Sequence, residues 1–89
     1  MIIEFKKEEF VNSLQIVNRA IKKGLYNILD CVFIDASKNK IILTAQDGKE
    51  ITIKKEVAGE IKEKGKAAID GYELYNKLKD MPNDSFVIL

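Results

Sequence analysis

The sequence predicts an α+β fold with its elements in the order β-α-β-β-β-β-α-β. Two segments carry apolar residues every three or four positions, which is typical of helices, and the region between them consists of short apolar runs separated by turn signals. We expect the two helices to pack on one face of an antiparallel sheet. A chain of 89 residues is long enough for a single small domain with one core.

The chain begins with a predicted strand at residues 2–6 and a helix from about Lys7 to Lys23. Four apolar residues of this helix are spaced four, three and four apart and therefore share one face: Phe10, Leu14, Val17 and Ile21. Glutamates near the helix start and lysines at its end suit the helix dipole. Gly24 is a typical residue to end the helix.

Three strands are predicted to follow, at 28–35, at 40–45 and after the turn signal Asp47-Gly48. The third has apolar residues at alternating sites, and we expect these to be buried while their neighbours point outward. The predicted inward residues are Ile51, Ile53 and Val57, and the outward ones are Thr52 and Lys54. The charged stretch 58–65 is interpreted as a loop, and 66–69 as a short strand.

The second helix is predicted from about Gly71 to Lys79, with Asp70 as its N-cap and Glu73 at the spacing of a capping box. It must end near Asp80, because a proline at position 82 disfavours helix in the residue before it. A last strand is predicted at 85–89.

Composition restricts the possible functions. Fifteen basic and fourteen acidic residues leave a net charge of +1, so any affinity for nucleic acid must come from a local arrangement.

No apolar run approaches the roughly 18 residues of a membrane span, and the N-terminus has no signal-peptide pattern. Cys31 is the only cysteine, and its apolar surroundings predict a buried core thiol. A cytoplasmic, reducing location fits this usage best.

The sequence offers little chemistry for catalysis. It has no histidine and no glycine-rich phosphate loop, so we predict a non-catalytic protein without a cofactor. Asp47 and Glu50 flank a turn, where they either touch a metal ion or belong to an ordinary solvated hairpin.

The polar side of the first helix is the most informative feature. Asn12, Gln15, Arg19 and Lys22 recur three, four and three positions apart, opposite the apolar face. Amide and basic groups without acids suit contact with phosphates regardless of base sequence. The alternative is an ordinary solvated helix face. Lys77 on the second helix would add to the basic surface, whereas Glu73 and Asp80 would oppose it.

Three stretches together resemble one known family: "MIIEFKKEEFVNSLQIVNRAI", "ILDCVFIDASKNKIILTAQDGKEITI" and "AAIDGYELYNKLKDMPNDSFVIL". The first is similar to the family's opening strand and helix, the second to its strand, hairpin and "LTxxD" stretch, and the third to its second helix with an apolar-Pro exit. The family is the bacterial DNA polymerase III beta subunit, the sliding clamp, and the resemblance is to its N-terminal domain.

The resemblance implies that residues 1–89 are the first of three similar domains in a subunit that pairs head to tail into a ring. In that family the helices face duplex DNA, and the ring tethers the replicative polymerase without catalysing a reaction. The partners implied are duplex DNA, the polymerase, the clamp loader and a second subunit, with no membrane. Lys22 and Lys23 lie in the loop where the family has an arginine that approaches DNA. The apolar ending at Leu89 then implies that further strands follow.

Another class of function fits the same elements, namely a freestanding module that binds a protein through an open sheet edge. A small enzyme with an unrecognised site is a third reading, which the missing histidine argues against.

We expect the 89-residue chain alone to bind duplex DNA weakly or not at all at physiological salt. Its net charge is close to zero, and a single domain cannot close a ring. A titration of labelled duplex checks this, and nanomolar, sequence-specific binding would contradict the clamp interpretation.

Overall fold

The predicted fold class is confirmed in a computed structural model, which describes residues 1–21, 30–48 and 50–89. Two helices pack on antiparallel sheets. The described elements are β1 (Ile2–Lys6), α1 (Lys7–Asn18), β2 (Cys31–Asp35), β3 (Ile41–Gln46), β4 (Thr52–Val57), β5 (Glu60–Glu63), β6 (Lys66–Asp70), α2 (Gly71–Leu78) and β7 (Phe86–Ile88).

The strands form two sheets rather than the one that the sequence suggested. Their orders are β5-β1-β7 and β4-β3-β2-β6, with every described pair antiparallel. The extra strand is β5, which lies inside the stretch predicted to be a loop, and that prediction is wrong. β5 is nearly all charged, but Ile61 opposite Ile3 places one apolar side chain on the inner side of the sheet. Pairing with β1 outweighs its polar composition.

The chain passes from one sheet to the other between β5 and β6. Gly65 lies in this short connection, where it donates its N–H to the Ala36 carbonyl and accepts the Ala36 N–H. A Cβ at position 65 would lie 2.9 Å from the Met1 Cβ, closer than real Cβ contacts allow. Because Gly65 has no side chain, the connection between β5 and β6 can pass close to Met1.

The predicted apolar face of α1 is confirmed as the centre of the core. Phe10, Leu14 and Val17 have no exposed surface, and Ile21 is almost fully buried. The Phe10 ring stacks on that of Phe5 from β1, with 3.9 Å between the ring centroids. Both sheets contribute to the same core through these buried strand residues: Ile3, Phe5, Val32, Ile34, Ile41, Leu43 and Ala45.

The first helix is shorter than predicted. α1 ends at Asn18, and residues 19–21 continue as a tighter turn in which each N–H bonds to the carbonyl three residues earlier. Lys22 and Lys23, predicted to complete the helix, lie outside the described residues, as do residues 28 and 29 of the second predicted strand.

Two burial predictions are wrong. Cys31 is only half-buried, because β2 directs Val32 and Ile34 into the core and its alternate residues to the other face. Ile51 precedes β4 and is 54% exposed. Val57 is buried, and Thr52 and Lys54 point outward as predicted.

The second helix begins as the sequence indicated. Asp70 Oδ1 accepts the Glu73 backbone N–H at 2.8 Å, which confirms the N-cap. Leu74 and Leu78 fix α2 on the core. β7 then pairs with β1 and is the outer strand of its sheet among the described residues. No helix in the described part of the chain is long and apolar enough to cross a membrane.

We expect Leu14→Ala to lower the free energy of unfolding by about 2–5 kcal/mol, because it removes a fully buried side chain and leaves a cavity. Urea denaturation followed by circular dichroism measures the change. Asn12→Ala, on the exposed side of the same helix, is the control and should stay within about 0.5 kcal/mol of the original protein. Equal effects of the two substitutions would contradict the packing described here.

Candidate nucleic-acid interface

The face of α1 opposite the core is exposed where the sequence predicted contact with phosphates. Asn12, Gln15 and Arg19 are all exposed and lie on one side of the helix and its final turn. Ile16, which sequence reasoning did not single out, is 36% exposed beside them. The acidic residues of α1, Glu8 and Glu9, are confined to its first turn. The second half of the face thus presents amides, one guanidinium and one aliphatic side chain.

Of the three lysines predicted to face DNA, the structure describes one. Lys22 and Lys23 lie outside the described residues. Lys77 is exposed on α2, but its Nζ lies 3.2 Å from Glu73 Oε1, in an ion pair between residues four apart on the helix. This pair offsets the positive charge at that point, as the position of Glu73 in the sequence suggested.

Asn18, which sequence reasoning missed, joins α1 to α2. It is 4% exposed, and its Nδ2 donates to the Gly71 carbonyl at 2.9 Å. The Tyr72 hydroxyl donates in return to the Asn18 carbonyl at 3.3 Å. The signal was present in the spacing, because Asn18 follows Val11 and Leu14 by seven and four positions and so occupies a core site with a polar side chain.

Gly71 allows this close approach. A Cβ at position 71 would overlap Asn18 Oδ1 and would lie 2.7 Å from Ile21 Cδ1. Asn18 Oδ1 is buried without a hydrogen-bond partner among the described residues, and it lies beside Gly71. The two helices are therefore held at a separation that a larger residue would not permit.

A groove of about 320 Å³ runs between the two helices. α1 and its final turn supply Gln15, Asn18 and Arg19, and α2 supplies Tyr72, Tyr75 and Asn76. None of these described lining residues carries a carboxylate, and Lys77 is not among them. The structure thus brings Gln15 and Arg19 together with three α2 residues that the sequence did not indicate.

The acidic turn at Asp47 is organised by the backbone. Asp47 Oδ1 accepts the N–H groups of Glu50 and Ile51, each at 3.1 Å, and Gly48 has a positive φ of 81°. This geometry favours the hairpin interpretation over a metal contact. Within residues 1–21, 30–48 and 50–89, no group of three or more potential metal ligands comes together.

We expect Gly71→Ala to lower stability by about 1–3 kcal/mol through steric overlap, although alanine favours helix by about 1 kcal/mol. In an Asn18→Ala background the penalty should shrink, because the nearest atom is gone. A double-mutant cycle measured by urea denaturation should give a coupling of at least about 0.5 kcal/mol. The same cycle with exposed Asn12→Ala is the control, and additivity of positions 18 and 71 would refute the contact.

Comparisons with known proteins agree with this architecture. All 89 residues match the family model for the DNA polymerase III beta subunit, N-terminal domain. No curated protein matches. Solved structures do match, and the chain spans about a quarter of their length.

Three of these structures illustrate the likeness. A protein of Eubacterium rectale described as a DNA polymerase III beta subunit is 31% identical, with a TM-score of 0.93 over 99% of this chain and 24% of its own. The sliding clamp of Bartonella birtlesii, bound to griselimycin, is 27% identical, with a TM-score of 0.93 over 100% of this chain and 24% of its own.

The Helicobacter pylori beta clamp, bound to a DNA ligase peptide, is 24% identical, with a TM-score of 0.89 over 100% of this chain and 25% of its own, and shows the shared fold. The match of the family model to every residue, together with these structures, establishes the family. The chain belongs to the DNA polymerase III beta subunit family and corresponds to its N-terminal domain.

Proposed function

We propose that this chain acts as the first of three domains in a processivity clamp, a ring that encircles duplex DNA and tethers the replicative polymerase. The observation that carries the proposal is the acid-free half of the exposed α1 face, in a domain whose family match covers its whole length. The chemistry of that face suits a surface that holds DNA without reading its sequence.

Weak contact is what such a surface needs. Arg19 supplies a charged donor, and Asn12 and Gln15 supply neutral amide donors that reach phosphate oxygens at any base sequence. A net charge of +1 gives the domain little general attraction to DNA, so retention comes from enclosure by the ring. Contacts of this kind let the protein slide because none of them is strong enough to fix one register.

The proposal extends to partners and location. The polymerase and the clamp loader would bind through the full-length protein, in keeping with the peptide bound to the Helicobacter pylori clamp. The protein would work in the cytoplasm, as a non-catalytic subunit paired head to tail with a second copy. Lys22, Lys23 and Lys77 remain proposed DNA-facing residues beside Asn12, Gln15 and Arg19.

The experiment uses the full-length protein loaded onto closed circular DNA. We expect the triple change Arg19→Ala, Lys22→Ala and Lys23→Ala to shorten retention several-fold, because each lost phosphate contact weakens binding. We expect the unfolding midpoint of the triple variant to stay unchanged. Of the three residues the structure describes Arg19, which is exposed and has no ion pair to a described residue. Dissociation followed by single-molecule fluorescence gives the retention time.

A charge-matched control removes three exposed lysines outside the helices, Lys38, Lys40 and Lys64, and should leave retention within about twofold of the original. Once the circular DNA is cut, the protein should slide off the ends of the linear DNA. If retention is unaffected by the helix changes, the proposed face is wrong. If the protein stays on linear DNA as long as on circles, encirclement is wrong.

A further inference from the structure

We propose that the groove between α1 and α2 seats one phosphodiester group of the DNA backbone, so that Tyr75 and Asn76 of α2 contact DNA together with Arg19 and Gln15. This inference rests on the proposed function for the source of its ligand. On α2 it adds Tyr75 and Asn76 as DNA contacts, whereas the sequence had indicated Lys77.

The lining of the groove is chemically uniform. Every side chain in it carries an N–H or O–H donor: Gln15, Asn18, Arg19, Tyr72, Tyr75 and Asn76. A phosphodiester offers only acceptor oxygens and one negative charge, which matches a surface of donors that contains a single guanidinium. The described lining has no carboxylate, so it supplies no negative charge to hold a cation.

Some of these donors are already hydrogen-bonded within the protein, and others can bind a ligand. Asn18 Nδ2 is bound to the Gly71 carbonyl, and the Tyr72 hydroxyl is bound to the Asn18 carbonyl. These two residues therefore fix the groove floor. The side chains of Arg19, Gln15 and Asn76 have no hydrogen bond or ion pair to any described residue, so their donors can turn to a ligand without breaking a contact.

Lys77 lacks this freedom. Its ammonium is paired with Glu73 at 3.2 Å, and a phosphate that approached it would also approach that carboxylate. Asn76 is the neighbouring α2 residue that faces α1 across the groove, with Tyr75 beside it. The groove is also rigid, because Gly71 and Asn18 set the helix separation, and a preformed site loses less conformational entropy on binding.

The test uses the full-length clamp and a duplex oligonucleotide titrated at low salt. Asn76→Asp changes few atoms and places a carboxylate in the groove, where it repels a phosphate within about 4 Å, so we expect affinity to fall about tenfold. Tyr75→Phe removes one hydroxyl and should weaken binding about two- to fivefold. Asn39→Asp, the matched control, makes the same chemical change at an exposed residue between β2 and β3, outside both helices, and should stay within about twofold.

Two further readouts separate a phosphate seat from a structural effect. The slope of affinity against salt concentration should decrease for Asn76→Asp, while the unfolding midpoints of Asn76→Asp and Tyr75→Phe agree with the original. Single-stranded DNA of the same length is the second ligand. Tighter binding of the single strand, lost in Tyr75→Ala but kept in Tyr75→Phe, would show base stacking and overturn the phosphate seat.

The outcomes distinguish this inference from the function on which it rests. If Arg19→Ala weakens duplex binding and Asn76→Asp does not, the α1 face contacts DNA and the groove does not, so the inference fails alone. If neither substitution changes duplex binding, the proposed DNA-facing role fails with it.

Discussion

The burial of one side of α1 is the constraint on which the rest of the structure depends. Phe10, Leu14 and Val17 belong to the one core that strands of both sheets line, and the Phe10 ring stacks on Phe5 from β1. Neither sheet could cover its apolar face without this helix. Since the rotation of α1 is fixed by these contacts, the exposed position of Asn12, Gln15 and Arg19 is a consequence of core packing.

The contact between Asn18 and Gly71 turns two separate helices into one surface. An amide buried at a core position is costly unless it is hydrogen-bonded, and here its Nδ2 donates to a backbone carbonyl on the other helix. Within the described part of the chain Asn18 Oδ1 has no partner, so the contact is not optimal for stability alone. What it provides is a fixed separation, which leaves room for the groove beside Arg19.

Charge is distributed in keeping with a weakly binding surface. Within the helices the acidic residues are Glu8 and Glu9, in the first turn of α1, and Glu73, which is paired with Lys77. Asp70 caps α2 by accepting the Glu73 N–H at its Oδ1. The available donors are mostly neutral amides and hydroxyls. Such groups contact phosphates at modest gain, which suits a protein proposed to be held by enclosure and to move along DNA.

The sequence by itself determined the helix faces, the Asp70 cap and the order of most strands, because these follow from the spacing of apolar residues and from local hydrogen bonding. It also carried the family resemblance. Tertiary structure decided that Glu60–Glu63 is a strand, since its ladder partner in β1 lies far away in sequence. It likewise decided the groove, because residue spacing shows which side chains share a face but not which helix lies opposite. Asn18 and Gly71 are 53 positions apart, and only packing brings them together.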